Sequence, residues 1–104
     1  MDAFEAVADP VRRKIVTMLA SGERSAGDIA ARFDIAGPSV SRHLKVLRES
    51  GLISYRREST SRFYRLETEP LEQIRQWMDA QLDVAKARLD RLGTHLDTMK
   101  DRGD

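Results

Sequence analysis

The sequence predicts a mainly α-helical domain with one small β-hairpin, in the order four helices, two strands and a long last helix, and three observations predict it. Apolar residues recur at helical spacing at Phe4 and Val7, at Val11, Ile15, Met18 and Leu19, and at Val40, Leu44 and Leu47. Between Leu52 and Leu66 the texture shifts toward period 2, with β-branched and aromatic residues. All 3 prolines sit where a helix should begin.

The first helix is a short amphipathic stretch, Asp2 to Ala8. Asp9-Pro10 then reads as an N-cap and first helical position, opening a helix from Val11 to Ala20 that ends at Ser21-Gly22. Ser25-Ala26-Gly27-Asp28 has the capping-box pattern with Asp in place of Glu, and starts a third helix running to about Phe33. Asp34-Ile35-Ala36 is a short connection to the helix opened by Pro38, and two helices joined so tightly cross steeply, as a helix-turn-helix. Ile29 and Phe33 should pack against Val40 and Leu44. After Gly51, Leu52–Arg57 and Arg62–Leu66 form a hairpin, a wing, around Glu58-Ser59-Thr60-Ser61, a tip without the Gly, Asn or Asp that would fix its turn type.

Pro70 opens the last helix, about residues 69–101. Met78, Ala85, Leu92 and Met99 recur every seven residues, with Leu82, Leu89 and Leu96 four after each of the first three, and Leu71 and Ile74 extend the stripe. Such a stripe over about three heptads favours pairing with another helix, because so small a domain has little surface to cover a helix about 45 Å long at 1.5 Å per residue. Gly93 interrupts it at about 1 kcal/mol relative to Ala, and the residues beyond are expected to fray.

At 104 residues the chain is expected to be one domain, residues 1–104, whose core alone is marginal and for which dimerisation is a common remedy. With 0 cysteines it holds neither disulfides nor thiolate metal sites, which suits a cytoplasmic location. No signal peptide and no membrane-spanning run is apparent. Enzyme chemistry has no footing: there is no Cys/His pair, no serine nucleophile with a plausible base and no glycine-rich phosphate loop. No cofactor is expected. Between Ala36 and Leu66 the chain carries a net charge of +5, leaving −4 for the remainder, the footprint of a module that meets phosphate with its centre.

The stretch Gly37–Gly51 concentrates that expectation. Wound as a helix, it turns Val40, Leu44 and Leu47 one way and Ser41, Arg42 and Lys45 the other. Small hydroxyl residues permit close approach to a major groove, and an arginine can grip a guanine O6/N7 edge.

Several phrases together resemble the ArsR-type winged helix-turn-helix repressors of bacteria. Phe4–Ile15, with its central Ala8-Asp9-Pro10, is similar to that family's opening signature. Ser25–Ala30 and Ser39–Leu47 are similar to its helix-turn-helix, and Arg56-Arg57-Glu58 followed by Phe63-Tyr64-Arg65-Leu66 to its wing. The likeness covers about residues 2–92 and falls in the cysteine-free branch. It implies a homodimer held by the first and last helices, which adds Phe4 to Leu71, Ile74, Met78, Leu82, Ala85, Leu89 and Leu92 as dimer residues, and a double-stranded inverted-repeat operator. Where relatives carry a hydroxyl residue and then a longer polar one, this chain has Ala36 and Gly37, so the operator sequence is not transferable.

The expected DNA contacts are Arg42 to guanine, Ser39 and Ser41 to phosphates or base edges, Lys45 to phosphate, and Arg56, Arg57 and Arg62 from the wing. Strand alternation sends Arg56 and Arg57 to opposite faces, so equal contributions are not expected. Arg12 and Arg13 suit an intramolecular ion pair as well as a DNA contact. His43 reads as a packed, hydrogen-bonded structural histidine, and Tyr64 and Trp77 as core or interface anchors. Two other readings stand beside the repressor. His95 with Asp97 and Asp90 on the last helix, meeting a second His95 across a two-fold axis, would suit a metal-responsive repressor. The helical stripe alone would suit a protein-interaction module.

Overall fold

Helix starts in this molecule follow side chains able to accept a hydrogen bond from the free N–H groups of a first turn. The computed structural model describes the backbone of residues 1–103 and the side chains of residues 1–93. Asp2 accepts from the Glu5 amide at 2.9 Å at the head of α1 (Ala3–Ala6), and Asp9 from the Arg12 amide at 3.0 Å at the head of α2 (Pro10–Ala20). Ser25 serves α3 (Ala26–Ala31), accepting from the Asp28 amide at 3.1 Å. The reciprocal half of the capping box does not form. Asp28, one methylene shorter than Glu, instead accepts from Arg24 Nη1 at 3.0 Å. α4 (Gly37–Glu49) starts without a side-chain cap, behind Ala36.

Helix ends are equally local. α4 closes on Ser50 and then Gly51, whose φ of 82° is open to glycine at little cost. The Gly51 amide reaches the Arg48 carbonyl at 3.1 Å and the Leu52 amide reaches the Leu47 carbonyl at 3.1 Å, the paired bonds of a Schellman motif. Leu47 and Leu52, the apolar pair of that motif, are both fully buried. α3 ends sooner than the sequence suggests, with Arg32 as its C-cap, so residues 32–36 form the link to α4. Phe33 lies in that link and still packs on the core.

The hairpin is β2 (Ile53–Glu58) and β3 (Ser61–Leu66), antiparallel, with Tyr55 opposite Tyr64 and Arg57 opposite Arg62. Because Glu58 pairs with Ser61, the loop shrinks to Ser59-Thr60, and Ser59 takes a φ of 59° at its first position. A two-residue loop needs that left-handed step to follow the twist of its strands, whatever residue occupies it. A third strand was not expected: β1 (Arg24–Ser25) pairs with Tyr64 and Phe63, giving the order β1-β3-β2.

Residues Met1–Ile74 form one compact unit and Arg75–Asp104 a second. The first is built on Ile15, Leu19, Ile29, Val40, Leu44, Leu47, Leu52, Ile53 and Tyr64, all at most 5% exposed, closed by Ala6 from α1. Ile29, Val40 and Leu44 share this core, Phe33 packs against it, and Tyr64 is a core residue. α5 (Thr68–Gly103) passes through Gly93 as helix, where fraying was expected. Leu71 is half-buried against the core and Ile74 half-buried. In the second unit Trp77, Met78, Leu82, Leu89 and Leu92 are 47–64% exposed and Val84 71%.

Candidate DNA interface

Burying Val40, Leu44 and Leu47 turns the opposite side of α4 outward, and with it the polar residues of the Gly37–Gly51 stretch. Ser41, Arg42 and Lys45 are exposed and Ser39 is half-buried. Arg42 Nη2 donates to Ser39 Oγ at 3.1 Å, one helical turn back, which pre-sets the guanidinium toward the head of the helix. Lys45 sits 4.0 Å from Glu49, an exposed pair worth little in water.

The hairpin sorts its arginines by face, as alternation requires. Arg56 and Arg65 share the face of Phe63. Arg56 Nε lies 2.6 Å from Glu23 and Nη1 2.8 Å from Glu58, and its guanidinium stacks 4.8 Å from the Phe63 ring. The hydrogen bond to Glu58 and the charge of Glu23 hold this arginine in its cationic form. Arg65 Nε bonds Glu67 at 3.2 Å and Ser54 Oγ at 3.1 Å. Glu67 also accepts from Ser54, and that hydrogen bond with the one from Arg65 draws its pKa down. Arg57 and Arg62 fall on the other face, with Tyr55 and Tyr64, and neither meets a carboxylate among the described residues. Arg62 lies 4.7 Å from the Tyr55 ring centroid and borders the same cleft as Tyr64.

Arg48 is the residue that sequence reasoning missed. It approaches the same Tyr55 ring from α4, at 5.3 Å, and such exposed stacks are worth about 0.5–1 kcal/mol each. Its signal was present: three residues after Lys45 and seven after Ser41, it occupies the same helical flank. A cleft of about 270 Å³ between α4 and the hairpin is bordered by Ser41, Lys45, Arg48, Arg62 and Tyr64.

Arg12 turns inward. Its Nε donates to the Ala6 carbonyl at 2.7 Å and its Nη2 to the Glu5 carbonyl at 3.2 Å, closing the C-terminal end of α1. Its Nη1 lies 3.3 Å from His43 Nδ1, and since a guanidinium can only donate, that nitrogen is the acceptor. Asp9 Oδ2 stands 3.8 Å from the same nitrogen. The hydrogen bond from the Arg12 amide draws the Asp9 pKa down, with His43 and the Arg12 charge acting the same way. His43 is thus the half-buried, hydrogen-bonded histidine expected, and Arg12 makes hydrogen bonds to two carbonyls and His43 in place of the intramolecular ion pair.

Among the described residues no group of three His, Cys, Asp or Glu could hold a metal. The side chains of His95 and Asp97 lie outside the described residues. No helix among the described residues is long and apolar enough to cross a membrane.

Two packed helices that turn a cationic helix face outward, followed by a hairpin bringing further unpaired arginines to its side, define a winged helix-turn-helix DNA-binding domain. The sequence profile of the family described as "Bacterial regulatory protein, arsR family" matches residues 9–55. The chain is 42% identical over 77 residues to the transcriptional repressor SdpR of Bacillus subtilis (strain 168), covering 74% of this chain and 86% of SdpR. Among solved structures, a possible transcriptional regulator for arsenical resistance superposes with a TM-score of 0.73 at 35% identity, covering 86% of this chain and 96% of that one. An ArsR family transcriptional regulator superposes with a TM-score of 0.75 at 31% identity, covering 80% and 86%. The chain belongs to the ArsR family of bacterial regulators and is a sequence-specific DNA-binding transcriptional regulator.

Proposed function

We propose that this regulator is a cytoplasmic homodimeric repressor that occupies a pseudo-palindromic operator and excludes polymerase from it. The observation that carries the reading is the sorting of charge. Arg24, Arg56 and Arg65 are neutralised by carboxylates, whereas among the described residues Arg42, Arg48, Arg57 and Arg62 meet none, and Lys45 has only a distant one. Arg42 reads a guanine, Ser39 and Ser41 contact base edges or phosphates, and Lys45 fixes register on phosphate. Arg57 and Arg62 bring the wing to the backbone, and Arg56 contributes least because Glu23 and Glu58 already hold it.

The whole chain, residues 1–104, acts as one DNA-binding domain whose last helix doubles as the dimer element. Met78, Leu82, Leu89 and Leu92 are too exposed for a water-facing helix, and a second copy offers the same stripe in return. Phe4, Leu71, Ile74 and Ala85 border that contact. Repression is the role borne by SdpR. Two-fold symmetry places the half-sites about one turn of DNA apart.

Gel shifts with the region upstream of the chain's own operon test the reading. Saturable binding weakened about 5-fold or more by Arg42→Ala supports it, from about 1–3 kcal/mol of lost discrimination. Lys45→Ala should lower the salt slope by about 0.9 per half-site. Binding indifferent to both substitutions overturns the assignment of α4. Sedimentation at micromolar concentration should give a dimer, and a monomer on Leu82→Glu.

A further inference from the structure

Arg48 and Arg62 reach one cleft from two different elements, α4 and β3, and both guanidinium groups pack on the Tyr55 ring. Lys45 borders the same cleft. Gathering like charges around one opening is unfavourable unless something answers them, and no carboxylate lines it. Elsewhere in the hairpin the chain supplies that answer itself, as Glu23 and Glu58 do for Arg56. Stacking on the ring fixes the planes of the two guanidiniums and leaves N–H donors at their edges for an anion with several acceptor oxygens. Ser41, on the rim, adds a hydroxyl.

We propose that this cleft seats a single phosphate of the DNA backbone, gripped by Arg48 and Arg62, with Tyr55 as the positioning residue that aims both. The proposal rests on α4 being the recognition helix, because Ser41 and Lys45 join the cleft to its outward face. One phosphate held by both elements locks the wing to the recognition helix when DNA arrives. That contact is indifferent to sequence.

The test is the salt dependence of binding by the full-length protein to operator and to random duplex. Arg48→Ala and Arg62→Ala should each weaken both duplexes about 5-fold. A slope of about 0.9 is expected per neutralised phosphate, so two arginines on one phosphate should together remove about 0.9 per half-site. A combined loss of about 1.8 per half-site means two separate phosphates and overturns the proposal, as does an unchanged slope. Single methylphosphonate substitutions across the half-site should find one position whose neutralisation weakens wild-type binding, has a smaller effect in Arg48→Ala and in Arg62→Ala, and has none in the double variant. Two different positions, each silenced by one of the arginine substitutions alone, count against it. Tyr55→Phe, which keeps the ring, should bind as wild type, while Tyr55→Leu, with its fold checked by thermal unfolding, should bind like the arginine variants. Loss of binding in Tyr55→Phe would assign the effect to the hydroxyl and overturn the positioning role. Arg42→Ala separates the two levels: if Arg42 matters and the Arg48/Arg62 pair does not, the clamp alone fails, and if Arg42 does not matter, the assignment of α4 fails first.

Discussion

α2 and α4 begin with the same local grammar and spend their polar groups in opposite directions. Each has a proline at its start, an arginine within its first two turns and an apolar stripe that enters the shared core, through Ile15 and Leu19 in one and Val40, Leu44 and Leu47 in the other. At the head of α2, Asp9 caps the backbone and Arg12 bonds two carbonyls of α1 and the ring of His43. At the head of α4, Ala36 offers no cap, and Arg42 holds only Ser39. A helix whose first turn is satisfied by its own chain is structural framework. One whose first turn and arginine are left to solvent is available to a ligand, and the difference lies in a few side chains rather than in the helices themselves.

The largest effects should show that the two helices are equivalent inside. Ile15→Ala and Leu47→Ala, both fully buried, should each lower unfolding free energy by about 2–5 kcal/mol in urea titrations. The arginines should then part company. Arg12→Ala should cost about 2 kcal/mol of stability through the lost bonds to two carbonyls. Arg42→Ala should change stability by less than about 0.5 kcal/mol while removing operator discrimination. Equal stability losses at the two positions would erase the contrast.

Smaller effects probe the caps. Asp9→Ala should cost about 1 kcal/mol at neutral pH. Because the folded state draws the Asp9 pKa below its ordinary value, the carboxylate contributes stability above that ordinary value and loses it as pH falls through the lowered one. The gap between wild type and Asp9→Ala should therefore close in acid, below about pH 4. The smallest change is the reverse substitution. Ala36→Asp should stabilise the fold by about 0.5–1 kcal/mol by capping α4, and weaken DNA binding by setting a carboxylate beside the reading face.

How far the sequence could be read follows from the range of the forces involved. Helix caps, the Gly51 terminus and the core stripe of α4 depend on neighbours within a few residues, and they were legible. Strand alternation likewise predicted that Arg56 and Arg57 would differ. Which of them is neutralised depends on Glu58, two residues along the same face, and on Glu23, far away in sequence, and only the first lies within reach of strand alternation. The inward turn of Arg12 depends on where α1 leaves its last carbonyls, and Arg48 gained meaning only when Tyr55 came to lie against it. β1 was invisible for another reason: two residues make no period, and Ser25 was already accounted for as a helix cap. In the second unit Met78, Leu82, Leu89 and Leu92 of the heptad stripe stand exposed, and Val84 widens that face beyond the seven-residue repeat.

That two-residue strand has a kinetic consequence. Arg24 pairs with Tyr64, a contact that closes a loop of roughly 40 residues, with both helices of the helix-turn-helix inside it. Closure of so long a loop is slow relative to helix formation. During synthesis α2, α3 and α4 emerge from the ribosome ahead of the strand that completes the sheet, and Tyr64 follows Leu44 and Ile53, with which it shares the core. The sheet beside the reading head is therefore complete only once β3 has been made.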